Sequence, residues 1–253
     1  MKREGKALSE KYGNAEMRVK SPFSEKIENF FYHYKWHTIV ALFLVFTIVV
    51  CSFQMCSKVE YDIHIMYAGG RDIKKTASEG DISEYQKLNG AILQYTSDFN
   101  NDGSRNSNLL TLYVPSAEDL ESIKNSGAGL EPNTALILDN TKMLDQYILY
   151  GEYVVCFLSE DLFLQYCSKE LRLFAEIKPF TNGNDEDYEY VNPYGIKLGS
   201  TELYSKAGMQ LLPENTVICL RVYSDVYSRF NKADNEENYL RSQELLRNML
   251  ARG

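Results

Sequence analysis

Residues 36–57, WHTIVALFLVFTIVVCSFQMCS, form a run of 22 residues without a charged side chain. As an α-helix this run would be roughly 33 Å long, which matches the roughly 30 Å hydrocarbon core of a bilayer. Aromatic side chains, which are favoured at the level of the lipid headgroups, come just before or at its start: Phe30, Phe31, Tyr32, Tyr34 and Trp36. The run therefore predicts one transmembrane helix, residues 36–57, which makes the membrane a partner of this chain.

The strongly apolar centre of the run, residues 39–50, is short enough to be compared with the core of a signal peptide. The preceding charged region would then be 35 residues long, and no pair of small residues at the spacing of a cleavage site follows the core. These features favour an uncleaved anchor over a cleaved signal peptide.

The charge distribution bears on the orientation of the anchor. Residues 1–35 carry eight basic and five acidic side chains, so that, of the total net charge of −8, the remainder of the chain carries −11. Basic segments favour the cytoplasmic side, although four basic residues lie within 20 residues of the span on each side. We predict a cytoplasmic basic tail over residues 1–35 that is largely disordered, above all in residues 1–21. The C-terminal domain would then lie outside the cytoplasm, at a bacterial cell membrane.

Residues 58–253 are enough for one sizeable hydrophobic core and too few for two comfortable domains. The acidic charge of this segment argues against nucleic acid as a partner. Sixteen of the nineteen tyrosines lie after the anchor. Tyrosine suits contact surfaces for sugars or proteins, but tyrosines in strands also simply pack, and the sequence leaves both interpretations open.

The pattern of apolar residues in this domain alternates between the periods of strands and helices. Strands are predicted over residues 61–68, 109–114, 134–138, 153–158, 173–177, 194–198 and 216–223. Helices are predicted over residues 82–99, 116–124, 142–150, 159–170 and 235–250, with a short one starting at Thr201. This alternation predicts an α/β fold, a single mixed-sheet α/β sandwich with helices on the faces of the sheet.

One local motif has the spacing of a calcium-binding loop. Asp98, Asn100 and Asp102, followed by Gly103, fit positions one, three, five and six of such a loop, in which oxygen-bearing side chains alternate and glycine allows a sharp turn. Position twelve is Leu109, so the bidentate carboxylate that normally completes the site is missing. The alternative is a polar turn between a helix and a strand, because Asn, Asp and Gly are typical of turns. A bound calcium ion would be structural, and no other cofactor is predicted.

No catalytic constellation emerges from the sequence. His33 and His37 lie at the membrane edge, which leaves His64 as the one histidine of the outer domain, on a predicted strand. Nucleophile-elbow glycines and zinc motifs are absent from the sequence. Paired carboxylates of a glycoside hydrolase stay open, because their pairing is spatial. We therefore predict that the protein is not an enzyme.

Four segments resemble a group of uncharacterised single-pass membrane proteins from Gram-positive anaerobes. They are KIENFFYHYKWHTIVALF (26–43), YDIHIMYAG (61–69), DFNNDG (98–103) and YGIKLGSTELY (194–204). More loosely, YVVCFLSEDLFLQY (153–166), AEIKPF (175–180) and YGIKLG (194–199) are similar to stretches of extracellular solute-binding proteins. The first resemblance implies an anchored outer domain without a known activity. The second implies a single lobe, because the domain is too short for the two lobes that clamp a solute.

These observations lead to two hypotheses about function. The first is a membrane-anchored, non-enzymatic module outside the cytoplasm that binds a membrane or envelope protein partner or another envelope component. The alternative is a solute-binding-like sensing domain that works with a transporter or a signalling partner. A pocket with convergent polar groups favours the second hypothesis, whereas a flat apolar patch favours the first.

Overall fold

The structure is a computed structural model that describes residues 22–56, 60–76, 81–125, 133–169, 171–181, 185–223 and 232–251. The chain divides into two compact units, Met1–Val59 and Glu60–Gly253. The predicted division into residues 1–35, 36–57 and 58–253 stays a prediction.

The first unit contains a single long helix in its described residues, α1 (Pro22–Cys56). The segment of α1 over residues 32–53 is long and apolar enough to cross a membrane. No other helix in the described part of the chain meets this criterion. The helix begins before the predicted span and includes residues 22–35 of the predicted tail. Residues 1–21, predicted to be disordered, and Ser57, the predicted end of the span, lie outside the described residues.

The described residues of the second unit form six strands: β1 (Ile63–Gly69), β2 (Ser107–Tyr113), β3 (Val155–Leu158), β4 (Tyr190–Asn192), β5 (Gly195–Lys197) and β6 (Val217–Leu220). They form one sheet in the order β2-β1-β3-β6-β5-β4. Strand β1 pairs in parallel with both β2 and β3, whereas the pairs β3–β6, β6–β5 and β5–β4 are antiparallel. The predicted mixed α/β fold is confirmed.

Helices cover both faces of this sheet. They are α2 (Glu84–Leu93), α3 (Ala117–Asn125), α4 (Thr134–Tyr150), α5 (Glu160–Cys167) and α6 (Lys232–Leu250). Side chains of α2 and α6 pack on one face, and side chains of α4 and α5 pack on the other. A hydrophobic core lies on each face of the sheet, and successive residues of β1 point into the two cores alternately, because side chains alternate along a strand. Ile65 and Tyr67 lie in the first core, and Met66 and Ala68 lie in the second.

The predicted strand over residues 134–138 is wrong, because this segment is the beginning of α4. The Asn133 side chain caps the helix by accepting a hydrogen bond from the N–H of Leu136 (3.1 Å). Leu136 and Leu138 are 47% and 56% exposed, so the apolar run does not mark a buried strand. A short apolar run does not by itself distinguish a strand from one end of a helix.

The predicted strand over residues 173–177 contributes one isolated bridge, between Phe174 and Arg221, and is not a strand of the sheet. The predicted helix over residues 82–99 is shorter than expected. Ser83 forms a capping box with Gln86, which starts α2 at Glu84, and the helix ends at Leu93.

Candidate functional site

A cleft lies where the three parallel strands end. Strands β1, β2 and β3 run in the same direction, so their carboxyl ends meet at one edge of the sheet. Two backbone hydrogen bonds continue the pairing beyond the strands, from the N–H of Val114 to Gly69 O (2.9 Å) and from the N–H of Ser159 to Ala68 O (2.9 Å). The segments that follow the three strands are thereby held side by side.

The order of the strands makes this edge a topological switch point. From β1, the chain passes through α2 on one face to β2, and then through α4 on the opposite face to β3, on the other side of β1. Connections that leave in opposite directions open a crevice between neighbouring strand ends, and α/β proteins commonly bind ligands there.

The cleft is open and has a volume of about 1200 Å³. Its lining is strongly acidic, with six carboxylates against two basic side chains. The acidic residues are Asp72, Glu84, Glu118, Asp119, Glu160 and Asp161, and the basic ones are Arg71 and Lys74. Such a lining attracts cationic groups and repels anionic ones.

Three of these carboxylates are held by other groups of the protein. Glu84 forms an ion pair with Arg71 (3.0 Å), and it accepts a hydrogen bond from the N–H of Lys74, which lowers the pKa of this carboxyl group. Asp119 accepts hydrogen bonds from the N–H and the hydroxyl of Ser116 (both 2.9 Å) at the start of α3. The Lys197 ammonium lies 3.6 Å from a carboxylate oxygen of Glu160. These three carboxylates therefore have structural tasks.

The other three carboxylates of the cleft are Asp72, Glu118 and Asp161. All three are exposed, and within the described residues none has a hydrogen bond or an ion pair. Asp72 lies in the loop after β1, whereas Glu118 and Asp161 lie in the first turns of α3 and α5, the helices that follow β2 and β3. Because they are hydrated and unpaired, they are the carboxylates that a cationic ligand would meet first.

Ser159 supplies a further unpaired polar group in the lining. It occupies the N-cap position of α5, but its side chain makes no capping hydrogen bond. Its hydroxyl oxygen is buried and has no partner among the described residues. Serine at this position usually accepts a hydrogen bond from the first turn of its helix, so the hydrogen-bonding capacity of this hydroxyl is unused in the described structure.

A side chain at position 70 would crowd the Asp119 side chain where the loop after β1 passes α3. A Cβ atom on Gly70 would lie 2.2 Å from Asp119 Oδ2, closer than any real contact. Beneath this loop, the hydroxyl of Tyr67 accepts a hydrogen bond from the N–H of Arg71 (3.3 Å), and burial raises the pKa of Tyr67 to about 12. The Tyr67 side chain is therefore a neutral phenol at physiological pH.

The residues of the predicted calcium loop lie elsewhere, at the amino end of β1. Asp98, Asn100 and Asp102 are brought together in one turn between α2 and β2. Asp62, which the sequence did not single out, accepts hydrogen bonds from the N–H groups of Phe99 (2.8 Å) and Asn100 (3.1 Å). No group of three or more His, Cys, Asp or Glu side chains that could hold a metal occurs among the described residues. Calcium binding by the three predicted residues stays a prediction.

His64 also lies at the amino end of β1, away from the cleft. Its Nδ1 is 3.1 Å from the amide nitrogen of Asn108 and 3.5 Å from a carboxylate oxygen of Glu152. Burial lowers the pKa of His64, partly offset by Glu152. The cleft lining contains no histidine or cysteine, so its chemistry is that of charge and hydrogen bonding.

No family model, curated protein or solved structure matches this chain. The predicted relation to single-pass membrane proteins of Gram-positive anaerobes stays a prediction. The geometry of the cleft is therefore the basis for a functional assignment.

Proposed function

We propose that this chain is a membrane-anchored binding protein whose acidic cleft receives a cationic segment of a membrane or envelope protein. In this proposal α1 inserts in a bacterial cell membrane with the amino terminus in the cytoplasm, and the α/β domain lies outside. The observation that carries the proposal is the cleft with three exposed carboxylates that are unpaired among the described residues, Asp72, Glu118 and Asp161, one from the segment that follows each parallel strand.

The openness of the cleft favours a segment of a macromolecule over an enclosed solute. Sites for small molecules typically bury most of the ligand surface and are lined mainly by apolar side chains. This cleft is open, and its apolar side chains include only Tyr113, Ala117, Leu164 and Pro213. A lysine or arginine side chain that projects from a partner can reach the carboxylates while the rest of the partner stays outside.

Nucleic acid does not suit this surface, because a phosphate backbone would be repelled by the acidic lining. A catalytic role is not supported either. Glu84, Asp119 and Glu160 are engaged with neighbouring groups, and the three free carboxylates are exposed to water. A general acid, in contrast, is usually a carboxyl group with a pKa that burial has raised.

The alternative is the sensing domain, and one observation favours it. The switch-point position and the unpaired Ser159 hydroxyl would suit a small amine, whose N–H groups would donate to that oxygen. The two functions share cation recognition and differ in the size of the ligand.

The test uses the full chain in lipid nanodiscs with a hexalysine peptide, a hexaglutamate peptide and free lysine as probes. The triple variant Asp72→Asn, Glu118→Gln, Asp161→Asn removes the free carboxylates. The matched control, Glu121→Gln, Glu236→Gln, Glu244→Gln, removes three acidic residues that do not line the cleft. We expect salt-sensitive binding of hexalysine that weakens by about tenfold or more in the cleft variant and stays unchanged in the control.

Equal loss of binding in both variants would mean that net charge, and not the cleft, attracts the peptide. Binding of free lysine as tightly as hexalysine would favour the sensing domain. The proposed orientation is tested by adding protease to intact cells, where we expect the α/β domain to be digested and an amino-terminal tag to be protected.

A further inference from the structure

The turn between α2 and β2, residues 98–106, is a second polar site, at the end of β1 opposite to the cleft. Two residues of the turn have the left-handed backbone, Asn101 (φ 56°) and Gly103 (φ 84°). Each of the three predicted ligands uses one oxygen to hold the turn. Asp98 Oδ2 accepts from the N–H of Gly103 (3.0 Å), Asn100 Oδ1 from that of Asp102 (3.0 Å), and Asp102 Oδ1 from that of Ser104 (2.8 Å).

One carboxylate oxygen of this site takes part in none of the hydrogen bonds of the turn. Asp98 Oδ1 is buried and has no hydrogen-bond partner among the described residues. A buried carboxylate oxygen without a donor has lost its hydration and has gained no hydrogen bond, which is unfavourable for the free energy of folding. A cation that contacts this oxygen would remove the cost.

Asp62 holds the turn in place, but it is not one of the proposed ligands. It is 1% exposed, and its carboxylate accepts hydrogen bonds from the N–H groups of Phe99, Asn100 and Asn106 (2.8, 3.1 and 2.7 Å). These bonds hold both ends of the turn against the start of β1. Asp62 is therefore fully engaged and does not replace the missing carboxylate of position twelve.

The turn offers oxygen ligands of the kind that hard divalent cations prefer. Asp102 Oδ1 also accepts a hydrogen bond from the hydroxyl of Ser104 (2.7 Å). Its second oxygen, Oδ2, is held by the amide of Asn100 (3.1 Å), which a cation would displace.

We propose that the 98–106 turn binds one Ca²⁺ ion through Asp98, Asn100 and Asp102, with the carbonyl oxygen of Ser104 and water completing the coordination. Two carboxylates and no bidentate ligand make a weak site. Calcium loops of low charge in extracellular modules have dissociation constants on the order of 10⁻⁴ to 10⁻³ M, and we expect a value in this range. Mg²⁺ requires a tighter octahedral site and should bind poorly.

The experiment is thermal unfolding and calorimetric titration of the full chain in nanodiscs, with CaCl₂ or MgCl₂ at matched ionic strength. Calcium that binds only the folded state raises the melting temperature, and the stabilisation grows with the logarithm of 1 + [Ca²⁺]/Kd. We expect a rise with Ca²⁺ that is absent in Asp98→Asn and Asp102→Asn, and retained in Asp161→Asn, which removes one exposed carboxylate from the cleft instead. Asp98→Asn keeps an oxygen that accepts from the Gly103 N–H, so without calcium it should melt close to the wild type.

Two results would overturn the proposal. One is a cooperatively unfolding wild type whose melting temperature and heat signal do not respond to about 10 mM Ca²⁺, well above the expected dissociation constant. The other is an equal response in wild type and Asp102→Asn, which would place the ion elsewhere. If Asp98→Asn does not fold, Asn100→Ala is measured in its place, because it removes one ligand and leaves both charges. Either overturning result would leave the turn as a polar connection only.

Discussion

Carboxylates have opposite environments at the two ends of strand β1. At the amino end Asp62 is buried, and three backbone N–H groups donate to it. At the carboxyl end Asp72, Glu118 and Asp161 are exposed and unpaired among the described residues. The same chemical group therefore stabilises a turn at one end of the strand and is free to meet a ligand at the other.

This difference distinguishes the acidic residues that stabilise the domain from those that are free to bind a ligand. A buried carboxylate is tolerated only where donors replace its hydration, so removing it leaves those donors unpaired. An exposed carboxylate keeps its water and contributes little to stability. Variants at the two ends should therefore change different observables, stability at one and binding at the other.

The largest effect is expected for Asp62→Ala. Three backbone N–H groups would lose their acceptor, and we expect the free energy of unfolding to fall by about 3 kcal/mol or more. Urea denaturation of the α/β domain in the full chain, in mild detergent, measures the change. Asp72→Ala at the other end of β1 is the control and should stay within about 0.5 kcal/mol of the wild type. Similar losses in both variants would contradict the comparison.

Alkaline pH should act on the carboxyl end of β1 through Tyr67. Its pKa is raised from 10.0 to about 12 in the folded state, so the unfolded chain loses this proton first as the pH rises. The contribution of Tyr67 to the free energy of unfolding is therefore fully present below pH 10. It is lost between pH 10 and about 12, and the loss amounts to roughly 2 kcal/mol. Tyr67→Phe should flatten this part of the pH profile of unfolding. An unchanged slope in Tyr67→Phe would show that other groups cause the loss.

A smaller effect is expected from Gly70→Ala at the cleft. The new Cβ would force the Asp119 carboxylate away from Ser116, and loss of such a helix cap costs about 1 kcal/mol. The matched control is Gly90→Ala, because a Cβ at Gly90 in α2 would meet nothing within 4 Å. Alanine is a better helix former than glycine, so the control should be stabilised by about 0.5 to 1 kcal/mol. Opposite signs in thermal unfolding would confirm both expectations.

The smallest effect on stability is expected for the triple variant of Asp72, Glu118 and Asp161. Each neutralised carboxylate is exposed and unpaired in the described structure, so we expect changes within about 0.5 kcal/mol per residue, measured by urea denaturation. Binding of hexalysine should weaken in the same variant. A large loss of stability would instead assign these side chains a structural role like that of Asp62.

Much of the fold could be predicted from local pattern. The β1, β3 and β6 segments were recognised because side chains that fill a core form short apolar runs bounded by turn residues. The helix predicted over residues 116–124 corresponds to α3, where Ser116 and Asp119 form reciprocal hydrogen bonds at the start of the helix. The run at residues 134–138 was assigned wrongly, because its apolar side chains face outward at the start of a helix.

The two candidate sites differ in the same respect, because one could be predicted from local pattern and the other could not. The calcium motif was found because its ligands are close in sequence. The cleft was missed, because its free carboxylates come from three segments that only the parallel pairing of β1 with β2 and β3 brings to one edge. One signal was present: each of the three predicted strands is followed within a few residues by acidic side chains.

By itself the sequence determined an apolar helix long enough to span a membrane, a single acidic α/β domain and the spacing of the 98–106 turn. These features depend on residues that are neighbours along the chain, where periodicity, length and charge act locally. Only the tertiary structure decided the strand order, the switch point, the hydrogen bonds of Asp62 and the meeting of three segments around one cleft. These features depend on contacts between residues far apart in sequence, which form only when both faces of the sheet are buried.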